Sequence, residues 1–154
     1  DMISPIESAK IIINHPDDGA AMLKEKKMPK EIVNIAKSHH GTSLLKYFYH
    51  KEKEKNPNVV EEDFRYPGPK PKTKEEAIIS ICDSVEAAVR SLSEPTEEKI
   101  EEIVASIMND RISDGQLDES PLTLTELKVI QRTICESLKG FFHSRIQYPS
   151  KEAN

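Results

Sequence analysis

The 154 residues carry a formal charge of -5, with 32% charged and 36% hydrophobic side chains, five glycines and only 5% aromatics. That balance suits one soluble helical domain, long enough to bury a core without disulfide or metal staples, and speaks against a disordered or sheet-rich chain. The acidic total also argues against a general duplex-binding surface, while leaving room for a small anionic ligand held by a local cluster.

Ser4-Pro5-Ile6-Glu7 has the form of a capping box with proline at the first helical position, and opens a helix carrying Ile6, Ala9, Ile12 and Ile13. Pro16 lacks an N–H, so this helix is predicted to stop near Asn14 or His15, with a second beginning at Asp17-Asp18. Pro29 restarts the chain, and Ile32, Ile35, Ala36 and His39 then share one helical face up to Gly41, a natural stop. Thr42 or Ser43 is placed to cap the next helix, with Leu44, Leu45 and Phe48 inward and the solvated run Lys51-Glu52-Lys53-Glu54-Lys55 at its end. From Asn56 to Lys72 four prolines predict a loop, and loops of that length in a domain are often functional.

Thr73-Lys74-Glu75-Glu76 is a second capping box, leading into a helix to Leu92 with Ile78, Cys82, Val85, Val89 and Leu92 as its inner stripe. Pro95-Thr96 starts another, bearing Ile100, Ile103, Val104, Ile107 and Ile112 and ending at Gly115. Thr123-Leu124-Thr125-Glu126 opens a last one with Leu127, Ile130, Ile134, Leu138 and Phe141, and Tyr148-Pro149 closes the regular part. No stretch has a period of two. The prediction is an all-α fold of about six or seven helices in one domain. Cys82 and Cys135 sit in apolar helical contexts and are expected to be buried free thiols of a reducing compartment. No apolar run is long enough to span a membrane, and no signal peptide is visible.

Four residues stand out by placement. His15 sits at a predicted helix end. His39 lies on the apolar face of its helix, where an imidazole is costly unless paired, and His40 projects about 100° around from it. Asp83 lies within the best helix, where a lone carboxylate needs a partner. Imidazole and carboxylate together are a common ligand set for Zn, Mn and Fe, but the spacing matches no short metal motif. Taken singly, His39 is more simply a hydrogen-bonded core histidine, His15 a helix-terminal cap and Asp83 a buried partner of an arginine, while for His40 a helix-end histidine and a ligand are level readings. His50 and His143 have the look of surface or helix-end residues. Glu86 and Arg90 form a pair four apart, or else Arg90 faces an anionic substrate. The stiff loop at Tyr66 to Lys70, with Arg65, Lys70 and Lys72, has the charge to meet phosphates.

Longer words point further. "HHGTSLLKYFYHK" at 39–51, "VEEDFRYPGPKPKTKEEAI" at 60–78, "DSVEAAVRSL" at 83–92 and "FFHSRIQYP" at 141–149 closely resemble the cytoplasmic HD domain of the bacterial seven-transmembrane HD phosphodiesterases. That family hydrolyses cyclic di-AMP. The resemblance covers essentially the whole chain. It implies an all-helical HD domain binding two divalent metal ions, typically Mn or Fe, that activate a water for attack on the phosphodiester. The family's ligands are an early His, a His-Asp pair, a further His, a His-His pair and a late Asp. The further His corresponds to His15, the His-His pair to His39 and His40, and the late Asp to Asp83. Arg65, Tyr66, Lys70 and Arg90 are then the substrate-side candidates, and a fall in activity is implied as pH drops through the histidines' titration.

The chain departs from the family where the family is named: no His-Asp dipeptide occurs in it, and His15 stands in "NHPDDG" where the pattern is nearer "SHVKDG". Residues 1–149 are therefore expected to be the C-terminal part of an HD phosphodiesterase domain, with 150–154 as a polar tail. The missing ligands and membrane segments are expected upstream of Asp1. Such a piece is expected to be inactive or nearly so alone, to expose apolar surface and to self-associate. A related group acting on cyclic di-GMP follows its His-His pair with an acid and a downstream Gly-Tyr-Pro. Here Gly41 and Arg65-Tyr66-Pro67 stand instead. A catalytically silent helical module that binds a nucleotide or partner remains the alternative, distinguished by metal content.

Overall fold

The computed structural model describes residues 3–143. The expected stop at Tyr148-Pro149, the tail at 150–154 and the side chain of His143 lie outside what is described. The described residues form six α-helices and one short 3-10 helix, with no strand.

The first helix, α1 (Pro5–Glu25), begins as predicted: the Ser4 hydroxyl accepts from the Glu7 N–H, and the Glu7 carboxylate reaches back to the Ser4 N–H at 2.9 Å. It does not stop at Pro16. The helix runs straight through that residue, whose ring is buried, so the predicted two helices are one. Proline removes a single N–H from the ladder, and here the carbonyl left over finds another donor, described below. A second helix, α2 (Lys30–Ser38), follows Pro29 and packs against α1.

The helix expected to start at Thr42 or Ser43 starts later, as α3 (Lys46–Lys55). Residues 43–45 stay outside the helix instead, because Leu44 forms an isolated antiparallel bridge with Arg65. Leu45 N donates to Phe64 O at 2.8 Å and Tyr66 N to Ser43 O at 3.0 Å. A 3-10 turn (Glu61–Phe64) in the proline-rich loop places Phe64, fully buried, under α1 and α3.

The chain then turns into α4 (Lys74–Arg90), α5 (Glu97–Ser113) and α6 (Leu124–His143). The Thr73 capping box is complete, with Glu76 also accepting from the Lys72 N–H at 2.6 Å. Ala77, Ile81, Val85, Val89, Ile100, Val104, Met108, Leu117 and Cys135 form the core of this second group, with Leu127, Ile130, Ile134 and Leu138 packed against it. Ile78 and Cys82, expected inward, are only half-buried and line an apolar groove against Ile130, Ile134 and Leu138. The true inner stripe of α4 is rotated toward Ala77 and Ile81. Cys82 and Cys135 are free thiols, and burial pushes both up. Helix α2 packs on α4 and joins the two groups, so residues at the end of α2 sit at the seam.

Candidate metal centre

Three helices and one loop deliver the side chains at that seam: His15 from the middle of α1, His39 and His40 from the turn ending α2, Asp83 from α4 and Tyr66 from the loop. Pro16 offers no N–H to the carbonyl four residues back, that of Ile12. His15 Nδ1 donates to this oxygen at 2.6 Å. His39 Nδ1 donates at 2.6 Å to the Ala36 carbonyl, one of those the end of α2 leaves free. A carbonyl only accepts, so both Nδ1 atoms carry a proton, and the neutral form of each ring has its lone pair on Nε2.

Those lone pairs converge. His15 Nε2 lies 3.2 Å from His39 Nε2 and 3.1 Å from His40 Nε2, and the three ligand atoms are within 4.8 Å of one another. Asp83 Oδ2 is 3.9 Å from His40 Nε2. Facing acceptors repel unless a cation or proton lies between them. Two nitrogens sharing one ion at ~2.1 Å stand ~3.1–3.4 Å apart, the spacing found here. The donor set therefore fits a divalent metal ion.

The Leu44–Arg65 bridge brings Tyr66 against the cluster. Its ring stacks on His40, with centroids 4.3 Å apart and planes 11° from parallel, and meets His15 edge-on at 5.9 Å. Burial and the Asp83 charge push the Tyr66 phenol up to about 12. Burial, then the charges of His39, His15 and Arg111, push the His40 imidazole down to about 3.

His40 thus remains an unprotonated donor well below neutrality, and the sign of its effect on stability follows. An unfolded histidine titrates near ~6.5, above the folded value, so the unfolded chain binds the extra proton first. The contribution of the neutral ring is complete above pH ~6.5 and is lost as pH falls toward about 3. The metal-free protein is expected to lose unfolding free energy across that window, by at most ~1.4 kcal/mol per pH unit. His40→Gln should flatten the slope in urea titrations at stepped pH. A wild-type minus variant difference that stays constant between pH 7 and pH 4 would remove the assignment.

Behind the pair, the chain is clamped. Gly41 takes φ +53, and Gln116, 1% exposed, spans the turn. Its Oε1 accepts from Thr42 N at 2.9 Å, and its Nε2 donates to Thr42 Oγ1 at 3.0 Å and Asp114 Oδ2 at 2.9 Å. Arg65 donates to both Asp114 oxygens at 3.0 Å and to Thr42 O at 2.8 Å, and its guanidinium holds the Asp114 carboxyl below its ordinary range.

Of the substrate-side candidates, Tyr66 forms a wall of the cluster, and the Arg65 guanidinium is engaged in this clamp. Lys70 has its ammonium group beside Gly115. Arg90 is exposed and pairs with Glu86 at 3.6 Å. Asp83 is 47% exposed, with His40 as its ion-pair partner among the described residues, rather than buried against an arginine.

Sequence reasoning did not single out Arg111, Asp114 and Gln116. For Arg111 a signal existed: it continues the apolar stripe of Ile100, Val104 and Met108 at helical spacing, and all four are buried. For Gln116, which follows Gly115 in a turn, no local pattern marks a residue reaching Thr42.

A family model described as the HD domain matches residues 1–88. Over 149 residues the chain is 58% identical to the cyclic-di-AMP phosphodiesterase PgpH of Bacillus subtilis (strain 168), covering 97% of this chain and 21% of that protein. It is 56% identical over 149 residues to the protein of that name from Listeria monocytogenes, again over 97% of this chain and 21% of the other. An uncharacterized Synechocystis protein is 37% identical over 94% of this chain and 18% of its own length. The chain thus spans about a fifth of the curated relatives it matches. Among solved structures, the L. monocytogenes PgpH HD domain in complex with cyclic-di-AMP superimposes with a TM-score of 0.90 at 56% identity, over 95% of this chain and 68% of that one.

Proposed function

The chain belongs to the HD-domain family, and from that premise we propose that it is the larger part of a metal-dependent phosphodiesterase domain acting on a cyclic dinucleotide, cyclic di-AMP. The observation that carries this is the convergence of three Nε2 atoms, two of them on rings fixed by backbone carbonyls, beside the Asp83 carboxylate. The substrate follows from the relatives named for this activity and from the similar domain bound to cyclic-di-AMP.

In this proposal His15, His39, His40 and Asp83 hold divalent ions of the Mn or Fe kind. When bound, such ions neutralise phosphodiester charge and acidify a water. The chain's own part is to present neutral donors in fixed orientation. The carbonyls of Ile12 and Ala36 prevent two of the rings from flipping, and Tyr66 covers one face of His40 against water. Lys70 and Arg90 are the cations proposed to meet substrate phosphates.

Four ligands do not complete two coordination shells, and no His-Asp dipeptide is present. Turnover by these 154 residues alone is accordingly expected to be at background. The domain is proposed to run through residue 149 and to work on the cytoplasmic side of a bacterial membrane protein. No helix among the described residues is long and apolar enough to cross a membrane itself. Elemental analysis of the intact protein should find close to two Mn or Fe per chain, and chelation should abolish cyclic di-AMP hydrolysis reversibly. Metal-free protein that hydrolyses at the full rate, or protein that neither binds Mn nor turns over after its addition, would refute the proposal.

A further inference from the structure

Arg111 lies on the buried stripe of α5 and is only 7% exposed. A buried guanidinium is costly unless its donors are met. One is met: Nη2 donates to Ser84 Oγ on α4. Nη1 is equally enclosed and has no acceptor among the described residues. Ser84 is the residue after Asp83, and the Arg111 charge is felt by Asp83, His40 and Tyr66. The guanidinium therefore lies beside the cluster with Nη1 unused, and of the carboxylates that feel its charge Asp110 pairs with Lys46 and Asp114 with Arg65, which leaves Asp83.

We propose that Arg111 is the positioning residue of Asp83: Nη1 donates to one carboxylate oxygen while the other oxygen takes a metal ion beside His40. This rests on the metal centre proposed above. Nη1 is too enclosed to touch a substrate, so Arg111 acts through Asp83. Ligating carboxylates are themselves hydrogen-bonded, and such outer partners orient the ligand. The planar fork of arginine serves Ser84 with one arm and Asp83 with the other, which the single ammonium of lysine cannot do.

The test is Mn affinity of the intact protein by calorimetry, for Arg111→Met, Arg111→Lys, Asp83→Asn and the Arg111→Met/Asp83→Asn pair. Arg111→Met should weaken Mn binding ~10–100-fold, and Arg111→Lys should restore only part of it. In the Asp83→Asn background Arg111→Met should add almost nothing. Methionine keeps an apolar chain of similar length and removes a buried charge whose Nη1 is unmet among the described residues. If that variant nevertheless fails to fold, the same cycle with Ser84→Ala replaces it, and should show a smaller loss that also vanishes without Asp83.

An equal loss in both backgrounds, or no loss in either, overturns this role while leaving the metal centre standing. Wild-type protein that binds no Mn overturns both.

Discussion

His39→Ala is expected to reduce cyclic di-AMP hydrolysis and Mn affinity by more than ~100-fold, exceeding the range for loss of an outer-shell partner. The fold should survive. His39 is half-buried at the C-cap of α2, outside the hydrophobic cluster. Among the described residues its bond to the backbone is from Nδ1 to the Ala36 carbonyl, and Nε2 faces the His15 Nε2 at 3.2 Å. Removing one of two facing lone pairs relieves repulsion in the metal-free state, so the metal-free Tm should move by no more than ~4 °C. Asp83→Ala should show the same pattern, since Asp83 lies on an exposed face of α4. The measurements are turnover and Mn binding in intact protein, together with melting of the metal-free form. Near-normal turnover in either variant would remove that residue from the site.

Gly41→Ala should have the largest effect on stability, ~2–4 kcal/mol by the sum of two causes. A φ of +53 costs any residue with a Cβ. The added carbon would also overlap Gln116 Oε1 and stand 3.4 Å from Pro71 Cδ. That oxygen cannot swing aside cheaply: Gln116 is fully buried, and its amide is bonded to Thr42 and Asp114. At this chain length the loss corresponds to a Tm drop of ~5–15 °C. Because Gly41 directly follows His40, Mn affinity should fall as well. Adding Gln116→Ala makes room, so the double variant should be less destabilised than the two single losses summed. Strict additivity in melting experiments would dispose of the clash and leave only the backbone cost.

Helix beginnings were legible in the sequence because a cap is a local device. Ser4, Thr73 and Thr96 each accept from the N–H three residues on, and the pattern needs nothing else. Pro16 misled because its consequence was not local in the same way. Whether a helix ends there depends on what the orphaned Ile12 carbonyl meets, and His15 could supply that bond only with its ring turned along the helix. The bridge at Leu44 was invisible for a different reason. One bridge between Leu44 and Arg65 has no period to detect.

The histidine pair and Asp83 were found through long family words more than through spacing. Arg111 and Gln116 escaped because their partners are 27 and 74 residues away.

The two locks on His15 and His39 are uncharged carbonyls, where many metal-binding histidines lean on a carboxylate. Neutral acceptors fix the rings without adding negative charge to them. Among the four proposed ligands, Asp83 alone is anionic. A centre so built, holding divalent cations as proposed, would not have their charge cancelled by this chain's own ligands and would stay electropositive on a protein whose total is -5. An anionic diester approaching an acidic surface would thus find its one strong attraction at the seam between the two helical groups, a form of selection by field rather than by shape.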